Sequence, residues 1–317
     1  MENKMKLSHI SPIGKRVIFV FVIFGAFALL KNSFATYDSI LSIVQGIAFV
    51  GIASAFLTLL ITSGEFDISI GANAALAAII AGELVAKSHL NLWVSIFLTL
   101  LAGLVIGAIN GAVVLIAKVP SFIATIAMLF IARSFSVFIS QAKAIENFPG
   151  LWKGFKESVM GQYFSIFVML VVIMIGEFIL NHTVFGKVIA AIGANKEAAR
   201  IAGINVTRTK FILFMLTGVG ASLAGIVADI HFSSARSSLG TGWELYAIAG
   251  LVIGGTSLFG GRGTVTGLLI GLLLMQVIAS GMVAGGIDPW WQTVITGVIV
   301  LISLGIDRKR KKVFVNE

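Results

Sequence analysis

Two carboxylates, Glu65 and Asp67, stand in the segment Ser63-Gly-Glu-Phe-Asp-Ile-Ser-Ile-Gly71, which interrupts two long apolar runs. Carboxylates this close to hydrocarbon must face protein, water or the interface, because an unpaired buried charge is costly. Asp67 can cap the helix that follows by accepting a hydrogen bond from a free backbone N–H. It can equally mark a broken helix that lines a solute path, and the spacing leaves both roles open. Gln45, Asn73, Asn110, Arg133 and Gln276 lie inside apolar stretches. Such groups either bond across helices or line a polar route. Gln45, Asp67, Asn73 and Asn110 are the candidate translocation residues.

A second segment, Gly193-Ala-Asn-Lys-Glu-Ala-Ala-Arg-Ile-Ala-Gly203, has the grammar of a short helix. Asn195 suits the N-cap, Glu197 the first turn, and Gly203 the position just past the end. A helix of about two turns is unstable alone in water, so it must dock on its own chain or on a partner. A third segment, Gly254-Gly-Thr-Ser-Leu-Phe-Gly-Gly-Arg-Gly-Thr264, could cradle an anion through its N–H groups. A tight turn between packed helices is the simpler reading. No G-x-x-x-x-G-K-[ST] occurs, so ATP binding by a P-loop is excluded. There is no cysteine, and the four histidines at 9, 89, 182 and 231 lack metal-ligand spacing. No catalytic residue, metal or resident cofactor is expected.

The elements that hold these residues must be membrane helices. Of 317 residues, 58% are hydrophobic and 12% charged, and the mean hydropathy is +1.03. That is about half the charge of a soluble domain, and so much apolar surface cannot be hidden in a water-soluble globule. Soluble, disordered and nucleic-acid-binding proteins are excluded. The hydropathy predicts an all-α polytopic membrane protein with about ten spans: 17–30, 40–62, 68–86, 92–117, 120–140, 163–180, 211–230, 244–259, 264–284 and 290–306. The first and eighth are short, which points to extension, tilt or a break. The basic N-terminal stretch and the apolar run after it read as a retained first span, not a cleaved leader.

With both termini on the inner side, sixteen of the 23 Lys and Arg fall inside and six outside, in accord with the positive-inside rule. All five tryptophans then fall outside, as an interfacial aromatic belt. Two connections exceed turns: an outer loop at 141–162 and a basic inner loop at 181–210. Residues 1–317 therefore read as one transmembrane domain. Gly103, Gly107 and Gly111 recur every four residues in the fourth span, and Gly263, Gly267 and Gly271 do so in the ninth. Such ladders let another helix backbone approach closely. Five spans separate the two ladders, which suggests an inverted five-helix repeat.

At these motifs the chain resembles the permease subunits of bacterial ATP-binding-cassette importers for ribose and related monosaccharides. Glu65-Phe-Asp-Ile-Ser-Ile-Gly71 is similar to the family's G-x-D-[LIV]-S-[VI]-G element, and Val119-Pro-Ser-Phe-Ile-Ala-Thr125 to its V-P-[PS]-F-[IV]-x-T element. Gly193 to Arg200 with Gly203-Ile-Asn-Val206 is similar to G-G-N-x-x-A-A-R…G-I-x-V, with Ala194 in place of the second glycine. Gly254 to Thr264 is similar to the G-G-T-S-x-x-G-G-x-G segment. The resemblance implies a channel of two permease chains, identical or related, in the bacterial cytoplasmic membrane. It implies two cytoplasmic ATPases that carry ATP and Mg, and an extracytoplasmic sugar-binding protein. The substrate would be a monosaccharide or similar small polyol, with no reaction on this chain. The inner loop would couple to the ATPase through Gly193, Asn195, Glu197, Ala198, Ala199, Arg200 and Gly203. The alternative is an ion-coupled secondary solute transporter. That would need a titratable group deep in the bundle, whereas the acids here cluster at span ends.

Overall fold

The computed structural model describes residues 11–146, 148, 158–288, 290–298, 301 and 305. Among them the chain is helical, with one isolated antiparallel bridge between Ile145 and Ala235. Helix α1 (Pro12–Leu30) starts behind Ser11, whose hydroxyl accepts from the Gly14 N–H, with proline in the first turn where a missing N–H costs nothing. A 3-10 turn (Asn32–Ala35) leads into α2 (Tyr37–Thr62). After a non-helical stretch come α3 (Ile70–Gly82), extended by a π-helical turn at Glu83–Lys87, then α4 (Leu92–Leu115) and α5 (Ser121–Ser140). Next are α6 (Val159–His182), the short α7 (Val184–Ala194) and α8 (Lys196–Ile201), and the long α9 (Val206–Phe232). The series continues with α10 (Trp243–Ile253) and α11 (Val265–Ala284), and residues 290–298 are helical again.

Helices α2 and α9 form the centre. Helix α9 packs on α4, α2 and α3, and α2 packs on α6 and α11. Helix α3 leans on α5, α11 covers α10, and α1 lies against α11, where the Phe27 ring faces Gly281. The outward faces of α4, α5 and α6 carry Phe97, Phe130, Phe138 and Phe167. This is the reverse of a soluble helix and suits contact with lipid.

Among the described residues eight helices are long and apolar enough to cross a bilayer. Seven match expected spans within a few residues, and the first is longer than expected because it begins at Pro12. The expected eighth span, 244–259, is the 11-residue α10. At 1.5 Å per residue it reaches about half of a ~30 Å hydrocarbon core. The tenth coincides with helix at 290–298 and then runs into residues outside the description. The inner loop 181–210 is almost wholly helical, since α7 precedes the expected α8. Most of the outer loop, and Trp152 with it, lies outside the described residues.

The tryptophan expectation needs a correction. Trp93 and Trp290 are well exposed, but Trp243 stacks on Phe49 of α2, ring centroids 6.3 Å apart. Residues 233–242 turn back into the bundle before α10 begins, so Trp243 starts a helix inside the protein and not at its rim.

Candidate functional site: two interrupted helices and a glycine junction

Helix α2 stops at Thr62, and Gly64 takes a left-handed conformation (φ +85°) that redirects the chain. The Glu65 N–H still donates to the Leu60 carbonyl (3.2 Å), but the N–H groups beyond it lack helical partners and need other acceptors. The first turn of α5 provides them. The Phe66 N–H donates to Ser121 Oγ (3.2 Å), and the Ile68 N–H donates to Thr125 Oγ1 (3.1 Å). Ser121 and Thr125 are four residues apart and so share a helix face.

Asp67 sits at the end of this segment, 2% exposed. Its Oδ1 accepts from the Ser69 N–H (2.8 Å) and the Ser69 hydroxyl (2.5 Å). Its Oδ2 accepts from Asn110 Nδ2 of α4 (3.3 Å). Asn110 Nδ2 also donates to Ser69 Oγ (3.1 Å), as does Asn73 Nδ2 (2.9 Å). Asp67 does not cap α3, whose N-cap is Ser69 with no side-chain cap hydrogen bond. The carboxylate makes an Asx-type turn before α3 and ties that turn to α4. Three of the four candidate translocation residues meet here. Gln45 does not: its Nε2 donates to the Gln162 carbonyl of α6 (2.9 Å), away from Asp67.

Glu65 is bound separately. Its Oε1 lies 2.6 Å from Nζ of Lys210 in α9, a lysine only 3% exposed. Lys210 belongs to the basic inner loop 181–210 of the sequence reading, and that reading paired it with no acid.

The second interruption approaches from the other end. After α9 the chain pairs Ala235 with Ile145, and Arg133 of α5 donates to the Ser237 and Leu239 carbonyls, the latter at 2.7 Å. Gly240 and Gly242 adopt φ of +70° and +83°, and α10 begins. Buried Gly71 and Gly240 are in backbone contact: a Cβ on either would strike the other's carbonyl oxygen. The Glu244 carboxylate lies beside Gly71. The N-termini of α3 and α10 therefore meet inside the bundle.

A third cluster surrounds the C-terminal end of α2. The Thr62 carbonyl accepts from the Gly261 N–H (2.8 Å) and abuts Gly193, where no Cβ would fit, and Gly260 rests on Gly193 and Gly64. The 254–264 segment is a turn between α10 and α11, closed by Ser257 N–H to Arg262 O (2.9 Å). From Gly193 the chain passes to α8. Asn195 Oδ1 accepts from the Glu197 N–H (3.1 Å) and Ala198 N–H (3.0 Å), and Gly203 closes the helix at φ +83°. Ala199 is buried with Ile192 and Val206, whereas Glu197, Ala198 and Arg200 are exposed. Glu197 and Arg200 form no ion pair with each other.

The glycine ladders face helices. Gly103, Gly107 and Gly111 of α4 lie against α9 at Gly218, Phe214 and Phe211. Gly267 and Gly271 of α11 lie on Gly254 and Gly250, and Gly263 lies on Thr62. Ser69, Ser121 and Thr125 were missed in the sequence, although Ser121 and Thr125 stand in a motif already quoted. No cluster of metal-ligating side chains exists among the described residues.

A family model described as "Branched-chain amino acid transport system / permease component" matches residues 39–304. The chain belongs to this permease family. Among its relatives is the ribose import permease protein RbsC of Escherichia coli K12, 32% identical over 94% of both chains. The fructose import permease protein FrcC of Rhizobium meliloti is 31% identical over 96% of this chain and 88% of its own. The L-arabinose transport system permease protein AraH of E. coli K12 is 32% identical over 94% and 91%. No solved structure matches. As a member of the permease family with eight long apolar helices, the chain is a multi-pass membrane protein.

Proposed function

We propose that this permease carries a monosaccharide or similar small polyol across the cytoplasmic membrane, as the membrane-spanning subunit of an ATP-driven importer. The relatives named for ribose, fructose and arabinose support a sugar. In this reading the chain catalyses no reaction. A second permease chain completes the channel, ATPase subunits with ATP and Mg bind α8, and an extracytoplasmic protein delivers the sugar. The two interrupted helices, α3 and α10, stand at corresponding places in an inverted repeat, with the N-termini of both aimed at the pathway.

One observation carries the coupling role: α8 docks by a single face, leaves Glu197, Ala198 and Arg200 bare, and follows in the chain just after Gly193, which lies against the Thr62 carbonyl. Motion at α8 passes through Gly193 to the end of α2 and on to the segment that ends at Asp67. The test is uptake of labelled ribose, fructose and arabinose in cells stripped of their own importers, with and without the ATPase. Uptake that needs the ATPase supports the proposal. Uptake that survives its loss but collapses with the proton gradient would favour ion coupling. Sidedness is read with single cysteines in this cysteine-free chain: Asn195→Cys should react only from the cytoplasm and Ser88→Cys only from outside.

A further inference from the structure

We infer that a polar recess between the start of α2 and the end of α11 is a binding vestibule for a neutral, polyhydroxylated solute. The inference rests on the importer reading above and locates a step within it. The recess measures about 360 Å³, inside the range of about 300–1,000 Å³ usual for small-molecule sites. Its lining includes Ser39, Ser42, Gln276, Ser280 and Gln292, with Val283 as the exposed apolar side chain. Among the described residues no charged side chain lines it.

Three features set this recess apart from the rest of the surface. First, the outward faces of α4, α5 and α6 are aromatic and aliphatic, whereas this one sets hydroxyls and amides among small apolar side chains. Polar groups gain nothing from hydrocarbon, so the face meets water, protein or solute. Second, Gln276 is held in place. Its Oε1 accepts from the Tyr246 hydroxyl of α10 (3.1 Å), and its Nε2 donates to Ser280 Oγ (3.3 Å) and lies against Gly46. A Cβ at position 46 would displace the amide. Third, buried Phe34 is packed beneath the recess against Phe24 and Phe27, with ring centroids 5.2 and 5.5 Å away, so the recess has a fixed base.

Hydroxyls and primary amides each both donate and accept, which matches a solute whose every carbon carries a hydroxyl. A charged amino acid would find no counter-ion here and would lose its hydration uncompensated. The recess therefore selects against charge, and Val283, exposed on its wall, offers an apolar contact to the C–H face of a sugar ring. Through Tyr246 the site also touches α10, so occupancy can be felt at the interrupted helix.

The experiment uses the assembled importer, with permease, ATPase and binding protein together. Ser42→Cys and Ser280→Cys give single thiols in a chain that has none. A bulky, uncharged, disulfide-forming reagent should then cut initial sugar uptake by about tenfold or more, and reductant should restore it. The unmodified chain, treated identically, controls for thiols on the partners. A milder variant, Gln292→Leu, removes one uncharged hydrogen-bonding group and should raise KM by about tenfold with the maximal rate little changed. Full uptake by both modified cysteine variants overturns the vestibule. So does modification that dissociates the second permease chain, because the polar face is then an interface between subunits. If the untreated, unmutated complex moves no sugar at all, the importer reading itself has failed.

Discussion

At the scale of single residues, the Asp67 network is a buried polar unit in which each member depends on the others. Replacing Asp67 with Ala leaves the Ser69 N–H and hydroxyl without their acceptor, while Asn110 keeps Ser69 Oγ. Each such orphan costs about 1–3 kcal/mol. The variant should insert but melt at a clearly lower temperature in detergent, as read by thermal unfolding of the purified chain, while Asp67→Asn should lose less. The Glu65–Lys210 pair gives a sharper contrast. Lys210→Met strands a carboxylate at a dry site and should cost about 3–5 kcal/mol, whereas Lys210→Met with Glu65→Leu should recover most of that loss. Equal melting temperatures for the single and double variants would refute the pairing. Asp67, Asn73 and Asn110 were legible in the sequence because polar side chains in apolar runs are conspicuous. Their union was not legible, since 43 residues separate Asp67 from Asn110 and nothing in either segment names the other. Gln45 carried the same signal and lies elsewhere.

At the scale of elements, glycine decides which helices touch. Helix α4 can approach α9 closely only because Gly107 lies on the Phe214 carbonyl. Gly107→Leu should break that packing, with assembly and uptake both lost. Gly71→Ala adds one methyl at the crossing of the two interrupted helices and should still cost about 1–3 kcal/mol through overpacking. Gly25→Ala in α1, where no neighbour lies within 4 Å, should be neutral. Comparing the three by gel filtration and melting separates a packing role from general glycine loss. Hydropathy located the long helices well, because a 20-residue apolar run has few other fates in a membrane protein. It did not separate a half-helix from a span. The run 244–259 is apolar from Leu245 to Ile253, and its break depends on Gly254 and Gly255 closing on Gly267 and Arg16, contacts remote in sequence.

At the scale of the whole molecule, the proposed route of force runs from α8 through Gly193 to the interrupted helices. Arg200→Glu reverses an exposed charge that supports no contact within the chain, so folding should be unaffected. Uptake and co-purification of the ATPase should fall together, and normal values for both would end the coupling proposal. Gly203→Pro strikes the φ of +83°, which proline cannot adopt, and should uncouple the same helix at some cost to stability. The central place of α9 bears on how the protein is made. Glu65 leaves the ribosome 145 residues before its partner Lys210, about 7–30 s earlier at ordinary elongation speeds. Throughout that interval the glycine face of α4 has no helix upon it and the acid no counter-ion. The first five helices must therefore wait, unfinished, beside the insertion machinery, and a message truncated before α9 should yield a fragment that the cell's membrane proteases clear.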